Sequence, residues 1–324
     1  MASLKDKTVL VSRRVPENIR KRVSETYTAI LNDDDRLYST DELLQKADGA
    51  DAVLCCHTEH FTADVIGRLP ESVKIIANIS VGTDHCDLAA AKAHGIVVTN
   101  TPDVLSDATA EIAMLLMLGA ARRAGEGEAI MRADAWKDWS LAFMVGTQVT
   151  GKRLGLIGMG RVGQVFARRA RAGLDMEIHY HNRSRLSSDK EAGAIYHDSV
   201  EELLPHCDFL SLHCPATPES KGLMNGDRLA LLPKGAILVN TARGAVVDDE
   251  ALIAALKSGH LAAAGLDVYN NEPNAHPGYR DLENTFLMPH IGSATHETRD
   301  AMGNRALDNL DAYFSGNEPN DRVA

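Results

Sequence analysis

The chain has 324 residues, 44% apolar and 24% charged, with a formal net charge of -11, which suits an ordinary globular protein of about two domains. The acidic balance excludes a general nucleic-acid or anionic-membrane binder, because both need a basic surface, although it leaves room for a local basic pocket. No stretch is apolar for long enough to span a bilayer. The segment Met1–Lys7 is short and charged and lacks a signal-peptide core. The five cysteines form no Cys-x-x-Cys pair and no dense scaffold, so reduced thiols in a cytoplasmic protein are expected. The thirteen histidines show no His-x-x-x-His or His-Glu-x-x-His spacing, and no metal site is expected.

The first hundred residues alternate short apolar runs with helical patterns. The runs predict strands at Thr8–Val11, Ala52–Cys55, Lys74–Asn78 and Ile96–Thr99. Helices are predicted at Glu17–Thr26, Asp41–Lys46 with Thr40 as N-cap, Thr62–Arg68 and Leu88–His94. Strands alternating with helices predict a parallel α/β sheet. The stretch Asn78–Asp87 follows a strand and contains Val81-Gly82-Thr83-Asp84. It reads as a strand-to-helix turn capped by Asp84 or Asp87, or as a cradle of backbone amides for a carboxylate. Pro102 ends the pattern by pushing Thr101 out of helix. A helix then runs from Ser106 to Arg123, apolar nearly all round and therefore buried. Trp136 and Trp139 lie in the following segment, Gly125–Thr150, where they fit core anchoring or a subunit contact.

From Lys152 a second α/β pattern begins. Strands are predicted at Arg153–Ile157, Glu177–His181, Phe209–His213, Ala236–Thr241, Ala263–Val268 and Thr285–Met288, with helices such as Val200–Leu204 and Asp249–Ser258 between them. The first strand ends in Gly158-Met159-Gly160-Arg161-Val162-Gly163, and a helical segment, Gln164–Ala172, follows. Strand, Gly-x-Gly-x-x-Gly and helix, in that order, predict dinucleotide binding. The first Gly makes the tight turn, the second lets a pyrophosphate approach, and the third lets helix and strand pack closely. About six strands in a doubly wound order complete that architecture. A final helix, Glu297–Phe314, has no strand of its own and is expected to return to the first domain.

Selection of NAD needs an acid some 20 residues beyond the first Gly. Here the second strand runs into Asn182-Arg183-Ser184-Arg185. Asn182 removes the repulsion a phosphate would meet, and Arg183 and Arg185 can pair it. The expected cofactor is NADP, with NADPH preferred over NADH. Three more stretches end strands of this domain: Thr241-Ala242-Arg243-Gly244, Gly265-Leu266-Asp267-Val268 leading to Glu272-Pro273, and Pro289-His290-Ile291-Gly292. Jointly they offer what hydroxyacid–ketoacid interconversion needs. Imidazole moves a proton near neutrality, a carboxylate beside it holds the ring and favours its charged form, and a guanidinium fork grips carboxylate and carbonyl oxygens.

With these residues, and with His213-Cys214-Pro215 and Thr217, the chain resembles the D-isomer-specific 2-hydroxyacid dehydrogenase family over nearly its full length. The resemblance implies two Rossmann-like domains with parallel sheets. The dinucleotide-binding domain, 102–290, would be inserted into a discontinuous flavodoxin-like substrate domain, 1–101 with 291–324. It implies that Arg243 binds substrate, that His290 is the acid/base and that Glu272 pairs with it. Val81 and Gly82 would hold the substrate carboxylate through their amides. Asp267 would face the nicotinamide carboxamide and Thr109 would lie near the nicotinamide ring. His213, Cys214, Pro215, Thr217, Thr241, Ala242 and Gly292 would also line the cofactor. A homodimer formed through the cofactor domain is implied as well.

Within the family, the Asn182–Arg185 loop and the compact length look like the glyoxylate/hydroxypyruvate reductases. Pro289 stands where the formate dehydrogenase branch carries Gln, and no long C-terminal regulatory extension is present. The expected reaction is NADPH-dependent reduction of glyoxylate and hydroxypyruvate. A 2-ketogluconate reductase would differ in pocket size only. A nucleotide-sensing regulator related to the corepressors of this family could keep Arg243, Glu272 and His290; the acidic chain and the absence of disordered tails favour an enzyme.

Overall fold

The computed structural model describes residues 4–324. The first three residues of the charged segment Met1–Lys7 lie outside it, and from Leu4 that segment is already strand rather than a lead-in. The chain forms two compact units, one comprising the chain up to Leu105 with Ala294–Ala324, the other Ser106–Ser293. Among the described residues no helix is long and apolar enough to cross a membrane.

The first unit holds a five-stranded parallel sheet: β1 (Leu4–Val11), β2 (Tyr27–Leu31), β3 (Ala52–Cys55), β4 (Ile75–Asn78) and β5 (Val97–Thr99), in the order β2-β1-β3-β4-β5. β3 and β4 are buried at every position, as expected of central strands with both faces covered. β2 is absent from the sequence-based expectation. It is an edge strand of mostly half-buried residues, Tyr-Thr-Ala-Ile-Leu, without a clean apolar alternation. The helix expected after Thr40 is capped one residue earlier. Ser39 accepts the Glu42 amide while Glu42 reaches back to Ser39, a reciprocal capping box. Helix His296–Phe314 covers this sheet, placing Met302, Ala306, Leu307 and Leu310 with Val9, Val11, Ile19 and Val23. A Cβ on Gly303 would strike Ile19 at 2.5 Å, so this glycine permits a close helix–helix approach.

The second unit holds seven parallel strands: β6 (Arg153–Ile157), β7 (Glu177–His181), β8 (Ile195–Tyr196), β9 (Phe209–Leu212), β10 (Ala236–Asn240), β11 (Leu261–Leu266) and β12 (Thr285–Leu287). Their order is β12-β11-β10-β9-β6-β7-β8. The order reverses between β6 and β9, and the crevice beyond the carboxyl ends at such a switch is where open α/β sheets bind ligands. β8 adds a seventh strand to the expected six; two residues are too few to show a period. Other ends shift by one residue or two: β9 and β10 stop before His213 and Thr241, and β11 starts at Leu261. The helix after the glycines spans Arg161–Leu174, longer at both ends than the expected Gln164–Ala172. Helix Ser106–Ala121 ends two residues earlier than expected. It buries Ala110, Ala113, Leu116 and Met117 in this unit's core but leaves Leu115 exposed.

Candidate active site

β6 carries buried apolar residues up to Ile157, and the chain must then turn sharply. Gly158 makes that turn with φ +94°, in the left-handed region that only glycine enters without strain. A Cβ there would lie 2.6 Å from the Cys214 amide nitrogen. Gly163 is also confined, since its Cβ would lie 2.5 Å from the Gly158 carbonyl oxygen. Gly160 differs: its Cβ would meet nothing within 4 Å. Two glycines thus close helix onto strand and the middle one faces open space, at the N-cap of a 14-residue helix. First-turn amides of a helix have no intrahelical acceptors, and they favour anions. The residues present therefore fit a pyrophosphate.

Neighbouring strands anchor this turn. Gly158 N donates to His181 O at 3.0 Å and His213 N to Ile157 O at 2.9 Å. Met159 N donates to Asn182 Oδ1 at 2.7 Å. Asn182 is therefore tied to the glycine turn, a role beyond the absence of charge expected of it. Arg185 is committed as well. Its Nε and Nη2 fork onto both oxygens of Glu191 at 2.7 and 3.1 Å. Arg183 and Ser184 are exposed.

Just past β9, His213 lies between Ser211 Oγ (2.9 Å from Nε2) and Thr241 Oγ1 (3.2 Å from Nδ1), with the Phe166 ring beside it. Burial lowers its pKa to about 4. Burial likewise pushes the Cys214 thiol up to about 11, so it is a neutral thiol near pH 7. The Pro215 carbonyl accepts from Ser220 Oγ at 2.7 Å, and Thr217 closes a local turn with the same residue, its N–H donating to Ser220 Oγ at 2.8 Å.

The Thr241–Arg243 turn is built by a residue the sequence reading left out. Asn240, the last of β10 and 1% exposed, donates from Nδ2 to Arg243 O at 3.0 Å and accepts the Ala242 amide at 2.9 Å. It fixes the backbone from which the Arg243 side chain springs. Gly244 has no room for a side chain against the Tyr269–Asn270 backbone. The signal for Asn240 was a polar residue ending an otherwise apolar strand, Ala-Ile-Leu-Val-Asn.

Asp267, just past β11 and 1% exposed, accepts the amides of Ile291 and Gly292, each at 2.8 Å. Burial raises its carboxyl above the usual range and the two amides work against that rise. Thr109 lies beside it, its Oγ1 3.6 Å from where a Gly292 Cβ would stand. Asp267 thereby sets the course of the segment after β12, where His290 adopts φ 54°. A non-glycine residue in this region is a strained position of the kind found at functional sites. The His290 Nδ1 is 2.6 Å from Glu272 Oε2, and Glu272 Oε1 accepts the Tyr269 amide at 2.8 Å. Both side chains are about one-quarter exposed, at 28% and 26%. Tyr269, which ends the same sequence stretch but has no role expected of it there, has its hydroxyl 3.0 and 2.9 Å from the Leu266 and Met288 carbonyls, tying the ends of β11 and β12.

In the first unit, Val81 and Gly82 follow β4. Asn100 Nδ2 donates to Val81 O and Ser80 Oγ to Gly82 O, both at 2.8 Å. The cap of the next helix is Asp87, which accepts Ala90 N at 2.9 Å, rather than Asp84.

The second unit thus brings the glycine turn, Asn182, His213, Arg243, Asp267, Glu272 and His290 to the carboxyl ends of one sheet. A family model described as D-isomer specific 2-hydroxyacid dehydrogenase, NAD binding domain, matches residues 114–292. A glycerate dehydrogenase from Hyphomicrobium methylovorum is 46% identical over 96% of this chain and 97% of its own. A glyoxylate reductase from Thermococcus litoralis is 42% identical over 96% and 95%. The crystal structure of an NADPH-dependent glyoxylate/hydroxypyruvate reductase from Sinorhizobium meliloti, solved with NADP and malonate, superimposes with a TM-score of 0.85 at 31% identity, covering 98% of this chain and 97% of that one. A shared architecture, a family model across more than half the chain and near full-length identity above 40% place this protein in the D-isomer specific 2-hydroxyacid dehydrogenase family of oxidoreductases.

Proposed function

We propose that this enzyme reduces small 2-ketoacids with NADPH, taking glyoxylate to glycolate and hydroxypyruvate to D-glycerate. The observation that carries the reading is the His290–Glu272 pair, 2.6 Å apart, at the strand ends that also bear the glycine turn. Glu272 takes Nδ1, so Nε2 is the nitrogen that passes a proton to the substrate oxygen. Arg243, set by Asn240, grips the substrate carboxylate and carbonyl. Val81 and Gly82 hold that carboxylate by their amides. The dinucleotide, when bound, supplies the hydride from nicotinamide C4. The Gly158–Gly163 turn, with Met159, Arg161 and Val162, holds the pyrophosphate, and Asn182, Arg183, Ser184 and Arg185 surround the adenosine ribose. His213, Cys214, Pro215, Thr217, Thr241, Ala242 and Gly292 line the remainder, with Thr109 and Asp267 at the nicotinamide.

Two relatives named for glyoxylate and glycerate chemistry support the substrate class, and a structural neighbour that is NADPH-dependent supports the cofactor. The test is a spectrophotometric panel of glyoxylate, hydroxypyruvate, 2-ketogluconate, pyruvate and phenylpyruvate, each with NADPH and NADH. Highest kcat/KM for the first two with NADPH is expected. A 2-ketogluconate optimum would reassign the substrate, equal or NADH-favouring ratios would sink the cofactor preference, and no turnover on any acid would favour a regulator.

We also propose a homodimer formed through the cofactor unit, in the cytoplasm. Trp136, Trp139, Leu141, Phe143 and Val145 are exposed, Leu141 at 89%, which rules out core anchoring for the two tryptophans and suits an apolar surface covered by a second copy. Five free cysteines fit a reducing compartment.

A further inference from the structure

The loop after β7 carries two arginines, and the structure separates them. Arg185 forks onto Glu191, and the Tyr180 hydroxyl donates to the same Glu191 oxygen at 2.6 Å. The Leu186 amide in turn donates to the Tyr180 hydroxyl at 3.1 Å. Tyr180 is fully buried and the Glu191 side chain is 10% exposed. The Arg185 guanidinium also lies 5.6 Å over the Tyr196 ring, and the Tyr196 hydroxyl donates to Asn182 O at 3.4 Å. Both ends of the loop, Asn182 and Leu186, are therefore pinned through one connected network built around the buried Tyr180 and Glu191. Arg183 forms none of these bonds; both arginines reach solvent, and only Arg185 is committed to a buried carboxylate.

We propose that Glu191 is a specificity-determining positioning residue: it holds Arg185 as a strut of the 182–186 loop and leaves Arg183 as the cation that pairs the 2′-phosphate of NADPH. The inference rests on the NADPH reading above. A phosphate taken by Arg185 would sit against the Glu191 carboxylate, itself only 10% exposed, so like charges would meet there. Displacing the fork would leave that carboxylate without its cation. Arg183 is engaged by no buried carboxylate; its charged neighbour is Glu219, which is exposed. The carboxylate absent from the end of β7 thus exists nine residues further on, where it organises the basic loop instead of competing with the phosphate.

The experiment is calorimetric binding of NADPH and of NADH to the apo-protein, for the wild type and for R183A, R185A, E191Q and Y180F, with thermal melts alongside. R183A is expected to weaken NADPH by about ten- to a hundredfold and leave NADH nearly unchanged, the size of one lost charged hydrogen-bond pair. E191Q keeps the shape of the side chain but loses the fork, and should weaken NADPH severalfold relative to NADH. R185A should act like E191Q, with the double variant no worse than either single one. Tighter NADPH binding by E191Q, or a loss in R185A equal to that in R183A, would overturn the assignment, because a released Arg185 would then be the phosphate ligand. A wild type that binds NADPH no more tightly than NADH would remove the NADPH reading itself and the inference with it. A lower melting temperature without a change in the NADPH-to-NADH ratio would show a merely structural role for Glu191 and reject the proposal.

Discussion

Glu272 holds the His290 ring by one oxygen and the Tyr269 backbone by the other, at 2.6 and 2.8 Å. One carboxylate thus ties the imidazole after β12 to the segment after β11. In the proposed reaction Nε2 is the nitrogen that meets the substrate oxygen. Replacing His290 with Ala is expected to lower kcat by about 10² to 10⁴, the general acid–base factor. Glu272→Gln should cost less, on the order of ten- to a hundredfold, since the ring keeps a hydrogen-bond partner but loses the charge. Steady-state rates with glyoxylate and NADPH check both, and wild-type turnover in the His290 variant would remove it from its role.

The glycine turn makes a contrast that binding and stability can separate. Gly158→Ala forces a Cβ to within 2.6 Å of the Cys214 amide at a φ of +94°. It should destabilise the fold by about 1–3 kcal/mol and abolish tight cofactor binding. Gly160→Ala meets open space, so its melting temperature should stay close to wild type while cofactor affinity falls. Equal melting temperatures for the two variants would contradict the geometry.

Asn240→Ala strips a buried site of both its bonds and leaves the Ala242 amide unsatisfied. A loss of about 1–3 kcal/mol in urea unfolding is expected. Turnover should fall as well, because the backbone at Arg243 loses its brace. Arg243→Lys, which keeps the charge but not the fork, should raise KM for the ketoacid with the fold intact.

Acid should weaken the second unit through its histidines. The His213 pKa is lowered to about 4 by burial, whereas an unfolded histidine titrates near about 6.5. Between those values the folded chain binds fewer protons than the unfolded one. The stabilisation is full above about pH 6.5 and is lost as pH falls toward about 4. His197 is lowered as well, first by burial and then by His179 and His206, with Glu202 opposing. Denaturant midpoints taken between about pH 7 and about pH 4.5 should fall, and less steeply in H213Q. The same slope in H213Q would place the acid sensitivity elsewhere.

Dilution tests the dimer. Sedimentation of the wild type should give twice the chain mass, and Trp139→Asp, at a position 65% exposed in the isolated chain, should shift it toward monomer. A wild-type monomer at micromolar concentration would refute the assembly.

The residues legible in the sequence were those whose chemistry is carried by type and order. Gly158, Gly160 and Gly163 announce a turn whatever surrounds them, and Arg243, Glu272 and His290 each follow an apolar run. What stayed hidden depends on which partners the folded backbone selects. Glu191 lies in a short helix with nothing local to mark it, and only folding brings it to Arg185 and Tyr180. Asn240 looks like a polar strand end, and Tyr269 like a core aromatic. β2 and β8 were missed for a simpler reason: edge strands need not alternate, and β8 has two residues.

The helix His296–Phe314 also has a consequence for synthesis. It completes the core around Ile19 and Val23, and Arg22 and Tyr27 reach Asp311 across nearly the whole chain, each at about 2.5–2.6 Å. A ribosome makes the first sheet early and its cover almost last. Until Leu310 emerges, the apolar face of β1 and helix Glu17–Thr26 stands open while the entire second unit can already close. The nascent chain therefore carries an unfinished domain ahead of a finished one, and chaperone protection should centre on residues 4–31 rather than on the larger unit.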